Sequence, residues 1–245
     1  MESRQATDSP PMRPDVAERY PDVAEHGSLR LAIAAVARDR GAVLGPISTP
    51  SGYERAGPWK VAQIKAGDQS FFASLKSSKR YFSVKVTRPV RLSASGGTTS
   101  LAEVVDVAAA WCARITVRDL LERFPFMSAD GLVLAFEEGT HLEYRWNRLI
   151  AIEAEYLHLR PLLHAAYAND RLRRLFPSTT HDEMLRLTID ALDDQAGWIT
   201  ITRLASGAFQ AEASWWDGEF TGSLDEAVHE AAALVAGNPR KPDGA

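Results

Sequence analysis

The sequence predicts an α+β fold in which two β-β-β-α modules, each an antiparallel sheet covered by a helix, flank a central helical insert. Three observations predict this fold. Short segments of alternating apolar residues occur in two groups, an amphipathic helical pattern follows each group, and the two helical patterns are similar to each other. Apolar residues make up 45% of the 245-residue chain, so a substantial core can be buried.

The chain divides into five predicted segments. Residues 1–19 and 238–245 are polar and lack apolar periodicity, so both are predicted to be disordered tails. Three predicted segments lie between the tails. They are an N-terminal helix together with the first module (20–115), the helical insert (116–180) and the second module (181–237). The first helix is predicted to begin near Ser28 and to stop at Gly41, because apolar residues recur between them at helical spacing.

The first module is predicted to contain three strands. Phe82, Val84 and Val86 alternate with polar residues, which predicts a strand with one buried face. Two earlier strands are predicted over 59–65 and 71–76, with a turn at Gly67 and Asp68. The Gly96–Thr99 stretch is interpreted as a link between the last strand and the following helix.

The second module is predicted from a similar pattern near the end of the chain. Apolar residues alternate over 185–189, 199–201 and 209–215, and Gly207 marks a turn between the last two segments. These segments predict three strands that precede the final helix.

The two module helices resemble each other in sequence. Residues 100–113 (SLAEVVDVAAAWCA) and 223–236 (SLDEAVHEAAALVA) are identical at eight of 14 positions. Each begins with a predicted capping box, formed by a serine and a glutamate three residues later, Ser100 with Glu103 and Ser223 with Glu226. Cys112 lies on the apolar stripe of the first helix, which favours a core thiol over a nucleophile.

The insert is predicted to be helical from Thr116 to Phe176. Thr116, Ser128 and Thr140 are predicted N-caps, and Pro161 suits a first helical turn.

Basic and acidic residues are separated along the chain. Eight basic residues stand against one acid between Lys60 and Arg91, whereas eleven acids stand against two bases between Asp182 and Glu230. One interpretation is that the modules attract each other, within a chain or between chains of a homodimer. The other is that the basic sheet face docks an acidic protein or peptide. The residues predicted to bind are Lys76, Lys79, Arg80, Lys85, Arg171 and Arg174.

Several function classes are not supported by the sequence. The net charge of −4 excludes a globally basic nucleic-acid binder, and no DNA- or RNA-binding motif is present. No histidine spacing suits a metal site and no phosphate-binding or dinucleotide motif occurs, so neither a metal nor a cofactor is expected. The polar N-terminus has no signal-peptide core, and no apolar run is long enough to span a bilayer, so a cytoplasmic protein is expected.

A family resemblance rests on short landmarks spread over residues 20–239. They are Tyr20-Pro21-Asp22, Ala110-Trp111, LERFPF (121–126), Trp146, Arg160-Pro161-Leu162, LRRLFP (172–177) with His181 four residues on, and the final helix from Glu226-Ala227-Val228 to Pro239. Together they resemble an uncharacterised actinobacterial family that is called natural product biosynthesis protein. The resemblance implies a setting in secondary metabolism and supplies no active site.

Three functions remain open at this point. The leading hypothesis is an accessory protein of natural product biosynthesis that binds a carrier protein, a precursor peptide or a small-molecule intermediate. The second is an enzyme with an acid–base site between the modules and the insert, with His181, Arg174 and Glu143 as candidates. The third, by analogy of form alone, is an intracellular immunity-type protein.

Overall fold

A computed structural model of the protein describes residues 12–53, 57–88, 93–151, 158–180, 184–193 and 195–238, apart from the side chains of Pro58 and Thr180. The fold is α+β, as the sequence predicts. The chain divides into two compact units, residues 1–137 and 138–245, which we call the N-terminal unit and the C-terminal unit. The boundary lies within the range predicted as a helical insert, and each unit contains two helices of that range.

The N-terminal unit is built on a six-stranded antiparallel sheet in which each strand pairs with its neighbours in sequence. Its strands are β1 (Ile47–Ser48), β2 (Val61–Ala66), β3 (Gln69–Leu75), β4 (Phe82–Thr87), β5 (Ser93–Thr98) and β6 (Met127–Ser128). The predicted turn at Gly67 and Asp68 joins β2 to β3, and Gly67 has the positive φ of 64° that such a tight turn requires.

Six helices accompany this sheet in the described part of the N-terminal unit. They are α1 (Pro14–Arg19), α2 (Pro21–Ala24), α3 (Leu29–Asp39), α4 (Leu101–Cys112), α5 (Val117–Arg123) and α6 (Gly131–Glu137). The prediction of a disordered tail needs correction at α1, because Val16 is buried and Pro14 suits the first helical turn. Residues 1–11 lie outside the described part of the chain.

Strand β5 was not predicted, because its sequence, SASGGT, has no bulky apolar residue and contains two glycines. The structure explains both glycines by close contacts. A Cβ at Gly96 would collide with the backbone of Phe126 and Met127 on β6, and a Cβ at Gly97 would enter the ring of Tyr81. The link predicted at Gly96–Thr99 is therefore mostly a strand, and only Thr99 and Ser100 connect it to α4.

Helix α4 packs against both the sheet and another helix. It packs on β3, β4 and β5 and also against α3, so it buries Val107 and Ala110 in addition to its predicted stripe. Cys112, predicted to be a core thiol, is only half-buried at the end of the helix, although it still packs against the core.

The C-terminal unit is built on a five-stranded antiparallel sheet in the order β11-β10-β9-β8-β7. Its strands are β7 (Phe176–Thr180), β8 (Met184–Thr188), β9 (Trp198–Arg203), β10 (Phe209–Ala213) and β11 (Trp216–Gly222), and its helices are α7 (His141–Ala151), α8 (Arg160–Ala168) and α9 (Leu224–Ala236). The predicted turn at Gly207 joins β9 to β10, with a φ of 86°. The end of the predicted helical range, at Phe176, is instead the first residue of β7.

The repeat is present, but each module has four strands rather than three. In the N-terminal unit, β2 to β5 precede α4, which packs on the last three of these strands. In the C-terminal unit, β8 to β11 precede α9, which packs on the equivalent three strands. In both modules the unpredicted strand is the one directly before the helix, and each of these two strands contains two glycines.

Two of the predicted helix caps differ from the structure. Ser223 and Glu226 form the complete capping box, whereas the Glu103 carboxylate accepts the Thr98 hydroxyl instead of the Ser100 N–H. The Ser100 N–H donates to Thr98 Oγ1 at 3.0 Å, so the last residue of β5 satisfies this N–H by another route. Ser128, predicted to be an N-cap, lies in β6, and Asp130 accepts the Leu132 N–H at the start of α6.

The two units have separate hydrophobic clusters, centred on residues such as Trp111 and Phe82 in one and Trp146 and Ile199 in the other. Among the described helices, none is long and apolar enough to cross a bilayer.

Candidate functional site

Lysine is rare in this protein and is concentrated in one region. The chain has six lysines and 22 arginines, and five of the lysines lie between Lys60 and Lys85, on or beside the sheet of the N-terminal unit. Lysine places a mobile, strongly hydrated ammonium group at the end of a flexible stem, which suits contacts with another charged surface.

The strands place two of these lysines on the outer face of the sheet. In β4 the predicted alternation is confirmed, because Phe82, Val84 and Val86 are buried and Lys85 is exposed. Lys65 has the same outward position on β2, two strands away, which corresponds to about 10 Å across the sheet. The central strands β2 to β5 contain no acidic residue.

The loop between β3 and β4 adds two more lysines on the same side. The ring of Tyr81 covers Gly97 on the outer face of β5. The Lys76 and Lys79 ammonium nitrogens lie 5.0 and 5.2 Å from the centre of this ring, at the distance of a cation–π contact. The ring of Tyr81 therefore packs on Gly97, and the Lys76 and Lys79 ammonium groups pack near this ring at the end of strands β3 and β4.

We call this surface the lysine face and define it by Lys65, Lys76, Lys79 and Lys85. All four side chains are exposed, and none pairs with a described carboxylate of the N-terminal unit. Phe72 lies directly opposite Lys85 on the neighbouring strand and supplies an apolar centre to the face.

Arg80, one of the residues predicted to bind, has a structural role instead of a free charge. Its guanidinium donates two hydrogen bonds of 2.8 Å to the Asp22 carboxylate and a third, of 3.0 Å, to the Thr99 carbonyl. The side-chain hydrogen bonds and charge of Asp22 raise the pKa of Arg80. Arg80 thus connects α2 to the connection between β5 and α4, whereas the four lysines of the lysine face have no described carboxylate partner in this unit.

The Asp22–Arg80 pair makes a pH-dependent contribution to stability. The hydrogen bonds from Arg80 hold the pKa of Asp22 below its usual range, so this contribution is present above about pH 4 and is lost as the pH falls further. We expect Asp22→Asn to lower the unfolding free energy by about 1 kcal/mol at pH 7, since the pair is one-third exposed and partly screened. Urea unfolding at pH 7 and pH 3 checks this, and a difference from wild type that persists undiminished at pH 3 contradicts it.

A cavity of about 450 Å³ lies within the C-terminal unit. It is bordered by the start of α7, the 3₁₀ turn Leu172–Arg174, the start of β7 and the connection between β8 and β9. The lining side chains are His141, Leu142, Arg174, Phe176, Ile189, Asp190, Ala191, Asp193, Gln195 and Ala196. The volume lies within the range of small-molecule sites.

His141 is the titratable group of this cavity whose environment is most unusual. Burial lowers the pKa of its imidazole below the ordinary value, while the nearby charge of Asp190 partly opposes this effect. The imidazole ring lies 6.3 Å from the ring of Phe176, measured between centroids. Burial thus disfavours the protonated, charged form of this imidazole.

The other predicted site residues are distributed over the C-terminal unit. Arg174 borders the cavity, whereas Glu143, two residues after His141, is exposed and does not line it. Arg171 donates a hydrogen bond of 3.3 Å to the Ala232 carbonyl and borders a shallow groove beside His229. His181 lies outside the described residues.

Sequence reasoning missed His141, Asp190 and Asp193. His141 follows a predicted N-cap and has no motif around it, and the two aspartates resemble ordinary turn residues. Each indeed accepts a backbone N–H two residues ahead at 2.8 Å. Only the position of β8 beside β7 brings these three residues to one cavity.

In the described part of the chain, no three histidine, cysteine or acidic side chains are arranged to hold a metal ion. No curated protein and no solved structure matches this chain. The cavity lies inside a range that matches a family model, and the lysine face lies outside that range. Residues 140–241 match the model of a family of unknown function, DUF6193.

Proposed function

We propose that the protein is an accessory protein of natural product biosynthesis that docks an acidic carrier protein on the lysine face. The observation that carries this proposal is the concentration of exposed lysines on two strands of an acid-free group and in the loop between β3 and β4, without a described carboxylate partner in the N-terminal unit. The setting in secondary metabolism rests on the family resemblance of the short sequence landmarks.

The geometry of the lysine face favours a protein partner over a small ligand. Lys65 and Lys85 are separated by about two strand spacings. Lys76 and Lys79 extend from the loop that joins the ends of the central strands β3 and β4. A small anion cannot contact all of these cations at once, whereas a protein surface with several carboxylates can. Phe72 and Tyr81 give such an interface an aromatic centre, as is common in protein interfaces.

The test is charge reversal on the lysine face. We expect Lys76→Glu, Lys79→Glu and Lys85→Glu together to weaken binding of the acidic carrier protein from the same biosynthetic locus about 100-fold at 0.1 M salt. The estimate combines the loss of three exposed ion pairs with the repulsion that replaces them. Binding of the wild-type protein should itself weaken steeply at 1 M salt, because the Debye length falls from about 10 Å to about 3 Å. Calorimetric titration measures both effects.

The matched control is the triple variant with arginine at the same three positions, which keeps the charge and should bind within about threefold of wild type. Circular dichroism checks that the reversed protein is folded, as the exposure of all three side chains predicts. If the folded triple glutamate variant bound with the affinity of the wild type, docking would not use this face. Equal loss in both triple variants would show that charge is not its basis.

A further inference from the structure

The cavity of the C-terminal unit combines charges of opposite sign with apolar walls. Arg174 approaches it from the 3₁₀ turn, whereas Asp190 and Asp193 approach from the connection between β8 and β9. Arg174 forms no ion pair with either aspartate among the described contacts. Opposite charges that border one cavity without pairing are available to a molecule that carries both charges itself.

The two aspartates are exposed, and each makes a hydrogen bond within its own turn that leaves acceptor capacity for a ligand. In each, the Oδ1 atom accepts a backbone N–H of its own turn, from Leu192 for Asp190 and from Gln195 for Asp193. A carboxylate has two oxygens with about four lone-pair sites, so the turn occupies only part of this capacity. An ammonium group is the donor that such a pair of carboxylates suits best.

The rest of the lining is suited to an apolar body. Leu142, Phe176 and Ile189 border the cavity, together with the small side chains of Ala191 and Ala196. The volume of about 450 Å³ exceeds that of one amino-acid side chain with its backbone and lies in the lower part of the range of small-molecule sites.

We propose that this cavity binds a small α-amino acid with an apolar side chain, whose carboxylate pairs with Arg174 and whose ammonium group lies at Asp190 and Asp193. The apolar side chain then lies against Leu142, Phe176 and Ile189. This site is in a different unit from the lysine face, so either proposal can fail while the other stands.

The test begins with a thermal-shift panel of the twenty L-amino acids, followed by calorimetry with L-leucine and its derivatives. We expect L-leucine to bind and to lose about 10- to 100-fold in affinity when its carboxylate is removed in leucinamide, or its ammonium group is removed in N-acetyl-leucine. The proposal would be overturned if leucinamide bound as tightly as leucine, or if no apolar amino acid of the panel bound.

Two substitutions test the protein side of the same contacts. Arg174→Gln removes the cation of an exposed side chain, and Asp190→Asn removes a charge but keeps the oxygen that accepts the Leu192 N–H. Each should weaken leucine binding about 10- to 100-fold. The matched control is Arg173→Gln on the same 3₁₀ turn, because Arg173 pairs with Asp170 at 3.0 Å and does not border the cavity. Equal effects of Arg173→Gln and Arg174→Gln would place the ligand elsewhere.

Discussion

Replacing Tyr20 with alanine is expected to lower the unfolding free energy of the N-terminal unit by about 3–5 kcal/mol, as for other large aromatic side chains in a core. Tyr20 is fully buried, and its ring packs edge-on to that of Phe82 at 5.4 Å between centroids. Its hydroxyl also organises the loop between β3 and β4. The oxygen accepts the Tyr81 N–H at 2.9 Å, and the proton can be donated to the carbonyl of Lys76 or Lys79, each at 2.8 Å.

Tyr20→Phe separates the contribution of the hydroxyl to stability from that of the ring. We expect it to cost about 1–3 kcal/mol, because it keeps the packing but leaves buried loop groups without their partner. Hydrogen exchange of the Tyr81 amide should accelerate in Tyr20→Phe relative to wild type. Unchanged exchange at Tyr81, with unchanged urea unfolding, would mean that water replaces the hydroxyl at little cost.

Replacing Trp146 with alanine is expected to have an effect of the same size, about 3–5 kcal/mol, in the C-terminal unit. Trp146 on α7 is buried, with 1% of its surface exposed, and its ring lies 5.5 Å from that of Tyr167. Its indole N–H lies 3.0 Å from the Arg173 carbonyl and 3.2 Å from the Leu175 carbonyl, so it connects α7 to the 3₁₀ turn and the start of β7.

The control for this prediction is Trp146→Phe, which retains most of the apolar area and removes the N–H. It should destabilise the unit by less than the alanine variant, and hydrogen exchange in β9 should report the difference between them. Because the same turn carries Arg174, the alanine variant should also weaken amino-acid binding. An alanine variant as stable as wild type would show that the neighbouring side chains close the space.

The elements that could be predicted from the sequence are those with strong local signals. Helix α4 begins with a serine cap and has an apolar stripe, and β4 alternates strictly between buried and exposed residues. Both patterns arise from the geometry of the isolated element, so they are visible without knowledge of its neighbours. The missed strand β5 has no such signal, because it contains only small residues, and Tyr81 occupies the space beside Gly97. Strand β11 alternates between half-buried and exposed residues, but two of its half-buried positions are glycines, and a Cβ at Gly218 would meet the ring of Trp216.

The candidate sites could be predicted only in part, for a related reason. The basic character of the first module was evident from the sequence, and Lys76, Lys79 and Lys85 are exposed on its sheet as expected. Arg80 has the same charge and lies beside Lys79, yet it is held by an aspartate that is 58 residues away in the chain. The sequence shows only that both residues are basic. The short distance between the Arg80 guanidinium and the Asp22 carboxylate distinguishes Arg80 from Lys79.

The sequence by itself determined the fold class, the two module helices with their serine N-caps, and the exposed position of Lys76, Lys79 and Lys85. Only the tertiary structure decided that Arg80 is paired, that each module has four strands, and that His141, Asp190 and Asp193 border one cavity. The physical reason is the range of the interactions. Caps and amphipathic faces depend on residues three or four positions apart, whereas ion pairs, glycine contacts and cavities depend on groups that meet only when distant segments pack together.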